Sequence, residues 1–177
     1  MKKIMMLLLA LIVTIGLIGC NGKKGNGQAD PAANYKAEDM IALINKAYEK
    51  VSGLPFVEVM EIDLSDVERI KSLTFLDNLD NLQYVVNGDA MIMTVPYTLV
   101  LMKFDEKANI DNLKQAIIDK ADLAKWICVF ADVAYVNNYG SVIILVMGEK
   151  TLADDVYAAL QQVASPLGEK LEKFGSN

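Results

Sequence analysis

The first twenty residues decide how much chain is left to fold. Lys2 and Lys3 make a short positive start, and residues 4–18 form an apolar run broken only by Thr14 and Gly16. A run of about fifteen residues matches the hydrophobic region of an export signal and falls short of the ~20 that a membrane-spanning helix needs. Removing about 20 residues leaves roughly 157, which at ~100–200 residues per domain predicts one domain. A chain of that size buries roughly 70% of its unfolded surface and stands without disulfide staples.

The residues just after the apolar run narrow the choice. Leu17-Ile18-Gly19-Cys20 resembles the bacterial lipobox, in which a small residue precedes a cysteine that receives diacylglycerol and becomes the first mature residue. Cys20 is therefore the expected lipidation site, residues 1–19 the signal peptide and residues 20–35 a tether. Residues 21–31 offer almost nothing apolar to pack and are punctuated by Gly and Pro, as a flexible linker is. Two or three acyl chains, at ~0.8 kcal/mol per buried methylene, hold a protein at a bilayer without a transmembrane helix. The expected location is the extracytoplasmic face of a bacterial cell membrane. With Cys20 used for lipid, Cys128 is left alone and no intrachain disulfide forms. Its setting, Trp126-Ile127-Cys128-Val129-Phe130, predicts a small buried hydrophobe rather than a nucleophile.

Composition restricts the chemistry. The chain is 53% apolar and 7% aromatic with 4 Pro and 11 Gly, which excludes collagen-like and disordered classes. It has no His, so Ser-His and Cys-His catalysis and the usual zinc sets are gone. The net charge of −6, or −8 without Lys2 and Lys3, argues against nucleic acid as a partner, because phosphate neutralisation needs a basic surface. Glu58, Glu61, Asp63, Asp66, Glu68, Asp77, Asp80 and Asp89 face only Arg69 and Lys71 in the same stretch. Such a stretch is a solvated face or a weak site for a cation or a basic partner.

Periodicity predicts a single α+β domain over residues 36–177, with an antiparallel or mixed sheet of about four or five strands and helices packed on one face. Met40, Ile41, Ile44, Ala47, Tyr48 and Val51 recur at helical spacing, ending near Gly53 and Pro55. Residues 56–62 partly alternate as a strand does. Ser65 with Glu68 fits a capping box for a short helix. Residues 82–86, 90–94 and 97–104 read as two or three strands, with Asn87-Gly88-Asp89 and Pro96 as punctuation. A second long helix carries Ile110, Leu113, Ala116, Ile117 and Ala121, capped by Asn109 or Asp111. Residues 127–136 and 141–147 flank Asn137-Asn138-Tyr139-Gly140, a hairpin signal. A last helix begins at Thr151, with Leu152, Val156, Leu160 and Val163 inward, and Ser165-Pro166 interrupts it. Strands that come in adjacent pairs favour an antiparallel sheet.

No catalytic or cofactor-binding constellation emerges. There is no Gly-rich phosphate loop. Asp77-Asn78-Leu79-Asp80-Asn81 and Asn87-Gly88-Asp89 lack the alternating ligands and closing glutamate of a calcium loop. Glu58 and Glu61 are the nearest approach to a hydrolytic carboxylate pair, which would need a defined separation in a cleft. Met91, Met93, Met102 and Met147 could bind Cu(I) in principle but suit core filling better. Trp126 reads as an anchor where helix meets strand.

The arrangement resembles a family of small bacterial lipoproteins, the domain of unknown function 4358. The resemblance runs from about Ala37 to Leu160. It rests on the opening helix followed by Leu54-Pro55, Tyr97-Thr98-Leu99-Val100-Leu101-Met102-Lys103-Phe104, the helix from Ile110, and Tyr139-Gly140-Ser141-Val142-Ile143-Ile144-Leu145-Val146-Met147. The Lys125-Trp126-Ile127-Cys128-Val129-Phe130 segment departs from that family's more polar, tyrosine-containing pattern. The resemblance implies an exported lipoprotein and brings no functional residues, since the family is uncharacterised. The expectation is a lipid-anchored, non-catalytic binding or interaction module of the cell envelope, with a protein partner or another envelope component as its ligand. The alternatives are a carboxylate-dependent envelope hydrolase and a metal-binding accessory lipoprotein.

Overall fold

The computed structural model describes residues 29–92 and 94–175, so the expected signal peptide over residues 1–19, Cys20 and Met93 lie outside the described residues. In chain order the elements are α1 (Ala37–Tyr48), β1 (Val57–Ile62), α2 (Val67–Thr74), β2 (Leu82–Ala90), β3 (Thr98–Phe104), α3 (Ile110–Lys120), β4 (Val133–Tyr139), β5 (Val142–Gly148), α4 (Lys150–Val163) and β6 (Leu171–Phe174). The strands form one antiparallel sheet in the order β1-β2-β3-β5-β4-β6. The α+β class and the antiparallel sheet agree with the sequence reading, while the strand number is six rather than four or five.

Helices cover both faces of this sheet, not one. Every residue of β3 and β5 is buried, which a strand with one solvated face cannot achieve. Leu99 and Leu101 point with Val142, Ile144 and Val146 toward α1 and α4, against Met40, Ile44, Val156 and Leu160. Val100, Met102 and Phe104 point with Ile143, Leu145 and Met147 toward α2 and α3, against Ile70, Leu73 and Ile117. The two layers arise from the period-two alternation of strand side chains.

Local chemistry sets the ends of the elements. The Asn109 side chain accepts the Asn112 N–H at 3.1 Å and starts α3. The cap of α2 is Asp66, which accepts the Arg69 N–H at 3.2 Å, and not Ser65. The hairpin turns three residues later than its asparagines suggest: Tyr139 pairs with Val142, and Gly140, at φ +57°, leads a two-residue turn with Ser141.

Four other expectations change. Asn87-Gly88-Asp89 is not a turn but the continuous end of β2. Gly88 lies under Tyr48, where a Cβ would fall 2.5 Å from the phenol oxygen, so glycine serves close packing there. Residues 91, 92 and 94–96 lie outside the strands, so Met91 does not sit on one. Residues 127–132 precede β4 as an irregular segment. Residues 30–35, expected in the tether, pack on the domain: Ala32 is fully buried among the residues beneath α1 and α4.

Candidate functional site

The sheet register gives the domain two distinct ends. One carries the entry to β1, the exits of β2, β5 and β6, and the entries to β3 and β4. The other carries the β4–β5 turn and the end of β3. At the first end lie Phe56, Met91, Ile92, Ile127, Phe130 and Phe174, all exposed. Phe56 is 73% exposed, Ile127 69% and Phe130 67%. Single exposed apolar side chains are ordinary, whereas several gathered on one end mark an interaction site.

The rim is built by short connections. The Met91 N–H donates to the Phe56 carbonyl at 2.9 Å, which holds these two residues together at the sheet end. Phe130 and Phe174 line a shared cavity of about 450 Å³. Residues 121–132 pass across the face that carries α2 and α3. Lys125 places its ammonium 4.9 Å from the Trp126 ring and 5.9 Å from the Phe75 ring. Burial pushes the Lys125 ammonium down, and Asp89 and Asp122 oppose that push. Beneath the segment, Asn87 donates to Asp89 Oδ2 at 2.7 Å and accepts from the Thr98 hydroxyl at 3.2 Å. Asp89 Oδ1 is buried with no hydrogen-bond partner among the described residues.

Cys128 belongs to this rim. It is exposed, with φ +64°, where the sequence predicts a buried residue. An apolar neighbourhood in sequence cannot distinguish core from an exposed interaction surface, and here Ile127 and Phe130 turn outward with the thiol.

The opposite end holds the incoming chain. Asp30 accepts the Ser141 N–H at 3.1 Å, the Ser141 hydroxyl at 2.5 Å and the Ala32 N–H at 2.9 Å. The Lys103 ammonium, only 3% exposed, donates to the Ser141 hydroxyl oxygen and lies 3.9 Å from Asp30. Burial raises the Asp30 carboxyl, but the hydrogen bonds from Ser141 and Ala32, with the Lys103 charge, outweigh it and hold the group below its ordinary range. A cavity of about 610 Å³ adjoins this cluster. A serine touching a buried lysine is an arrangement that nucleophilic catalysis can use. Here burial pushes the Lys103 ammonium down, the Asp30 and Asp105 carboxylates oppose that push, and the Ser141 hydroxyl proton is directed at Asp30 rather than at the lysine. The three groups act as a clamp on residues 30–35.

The other sequence candidates are dispersed. Cys20 lies outside the described residues. Glu58 and Glu61, three apart on β1, point to opposite faces and share no cleft. Met102 and Met147 are buried in the core beneath α2 and α3, away from exposed Met91. Asp77 pairs with Lys120, and Asp80 takes part in an Asn78 turn, so that segment is a tied loop. Asn137 sits in the core with both side-chain polar atoms lacking partners among the described residues, a signal no sequence pattern carries. Comparisons with protein families, with curated proteins and with solved structures found no match to this chain.

Proposed function

We propose that the protein is a lipid-anchored extracytoplasmic module of the bacterial cell envelope, non-catalytic, held through Cys20 and binding an apolar-faced envelope protein at its rim. The resemblance to lipoproteins of the domain of unknown function 4358 is part of this proposal. The observation that carries it is the separation of the two ends. The incoming chain is clamped at the β4–β5 turn, and the exposed apolar side chains gather at the far end of the sheet. Cys20 is ten residue steps from Asp30. That length reaches at most about 35 Å. Seven-residue strands add ~23 Å between clamp and rim. That reach keeps the clamp within about 35 Å of the proposed anchor and leaves the rim, at the far end of the sheet, free to face away from the bilayer.

Cys128 supplies a native probe for the location. In intact cells producing the chain in excess of any partner, a membrane-impermeant maleimide should label the wild type and leave Cys128→Ser unlabelled. Labelling that requires cell lysis would contradict an extracytoplasmic domain.

A further inference from the structure

The sheet has two edges, and the longer one is open. β1 contributes six residues at one margin, against four in β6 at the other. The Met91 N–H bonds the Phe56 carbonyl, and Met91 stands opposite Phe56 in the β1–β2 register. Hydrogen-bonded pairs then alternate, so the backbone groups of Glu58, Met60 and Ile62 face β2 while those of Val57, Val59 and Glu61 face outward. Among the described residues those outward groups have no backbone partner. An uncovered edge of this kind is a template for another strand.

The side chains beside the edge state what that strand would carry. Val57 and Val59 lie half-buried on the face beneath α1, and Glu61 comes next on the same face. Glu61 and Asp63 line a groove of about 470 Å³ with Tyr84 and Gln83. Self-pairing through this edge would bring Glu58, Glu61 and Asp63 of two copies onto adjacent strands, a like-charge seam that disfavours it.

We propose that the β1 edge takes an extended segment of a basic partner protein as a seventh strand. Small apolar residues of that segment lie opposite Val57 and Val59, and lysine or arginine lies opposite Glu61 and in the groove with Asp63. Backbone hydrogen bonds supply the pairing, and the carboxylates select the charge. The inference does not depend on lipidation of Cys20.

The test uses the full chain in detergent and a fluorescent peptide, Lys-Thr-Lys-Thr-Val-Thr-Val, read by anisotropy, with a second peptide in which glutamate replaces both lysines. The lysine peptide should bind in a salt-dependent way and the glutamate peptide should not. Val59→Pro removes one outward N–H and leaves the β1–β2 hydrogen bonds in place, as proline permits at an edge. It should weaken binding roughly tenfold, and Glu61→Lys, an exposed change that leaves packing intact, should do the same. Circular dichroism of both variants checks that they are folded. Absence of binding, equal binding of both peptides, or unchanged binding by folded Val59→Pro and Glu61→Lys would overturn the proposal. So would a concentration-dependent dimer that Val59→Pro abolishes.

Discussion

Leu101→Ala should lower the unfolding free energy by about 3 kcal/mol and the melting temperature by roughly 10 °C. Leu101 is fully buried in the middle of β3, the third of six strands, opposite Val86 on β2 and Ile144 on β5. Truncation there removes transfer free energy and leaves a cavity that paired strands on both sides cannot close. Ile127→Ala removes a side chain of similar size from the rim, where it is 69% exposed, and should stay within about 0.5 kcal/mol of wild type. Denaturant melts of the two variants check the contrast. A Leu101→Ala protein as stable as wild type would contradict the placement of β3 at the centre of the sheet.

Asp30→Ala should release residues 30–35 from the domain and lower stability by about 2 kcal/mol, because it removes a carboxylate that accepts three hydrogen bonds. It also leaves the nearly buried Lys103 ammonium without its carboxylate partner. Trypsin cleavage after Lys36, at the start of α1, should accelerate, and mass spectrometry of the fragments separates this cut from others. The difference from wild type depends on pH. A carboxyl held below its unfolded value of ~3.9 stabilises fully above that pH and loses the contribution as pH falls through the folded value. The melting temperatures of wild type and variant should therefore converge below about pH 4. Equal cleavage after Lys36 and parallel melting curves at all pH values would show that Asp30 does not hold the segment.

The parts of the fold that were legible in the sequence are those where one local signal and the tertiary contacts agree. Tyr97-Thr98-Leu99-Val100-Leu101-Met102-Lys103-Phe104 reads as a strand because almost every position is apolar, and Asn109 announces its helix by the side chain that caps it. The same apolar runs carried the sign of a sheet covered on both faces, since a strand with one wet face alternates. Pairing of adjacent strands pointed instead to helices on one face. Elsewhere tertiary packing overrode turn chemistry: Asn87, Gly88 and Asp89 are strong turn formers, yet Tyr48 fits only against a glycine and Asn87 bonds Thr98 across the strands. β6 is four residues, half-buried at every second position with its two polar residues adjacent, too short for periodicity to reveal.

The candidate surfaces were less visible still. Trp126-Ile127-Cys128-Val129-Phe130 has the composition of a core strand, and only its placement before β4 shows that Ile127, Cys128 and Phe130 face outward. Asp30 resembles any tether residue until the β4–β5 turn brings the Ser141 N–H and hydroxyl to it across the fold. The acidic run from Glu58 was evident in sequence, but its meeting with an open strand edge depends on β1 being the outermost strand.

The proposed anchoring of the domain rests on the thiol of Cys20, and intact-mass analysis of the native protein extracted from membranes tests it most directly. The account predicts a chain that begins at Cys20 and carries the added mass of acyl chains. A chain that begins at Met1, bears no acyl mass and partitions with the soluble fraction would contradict it.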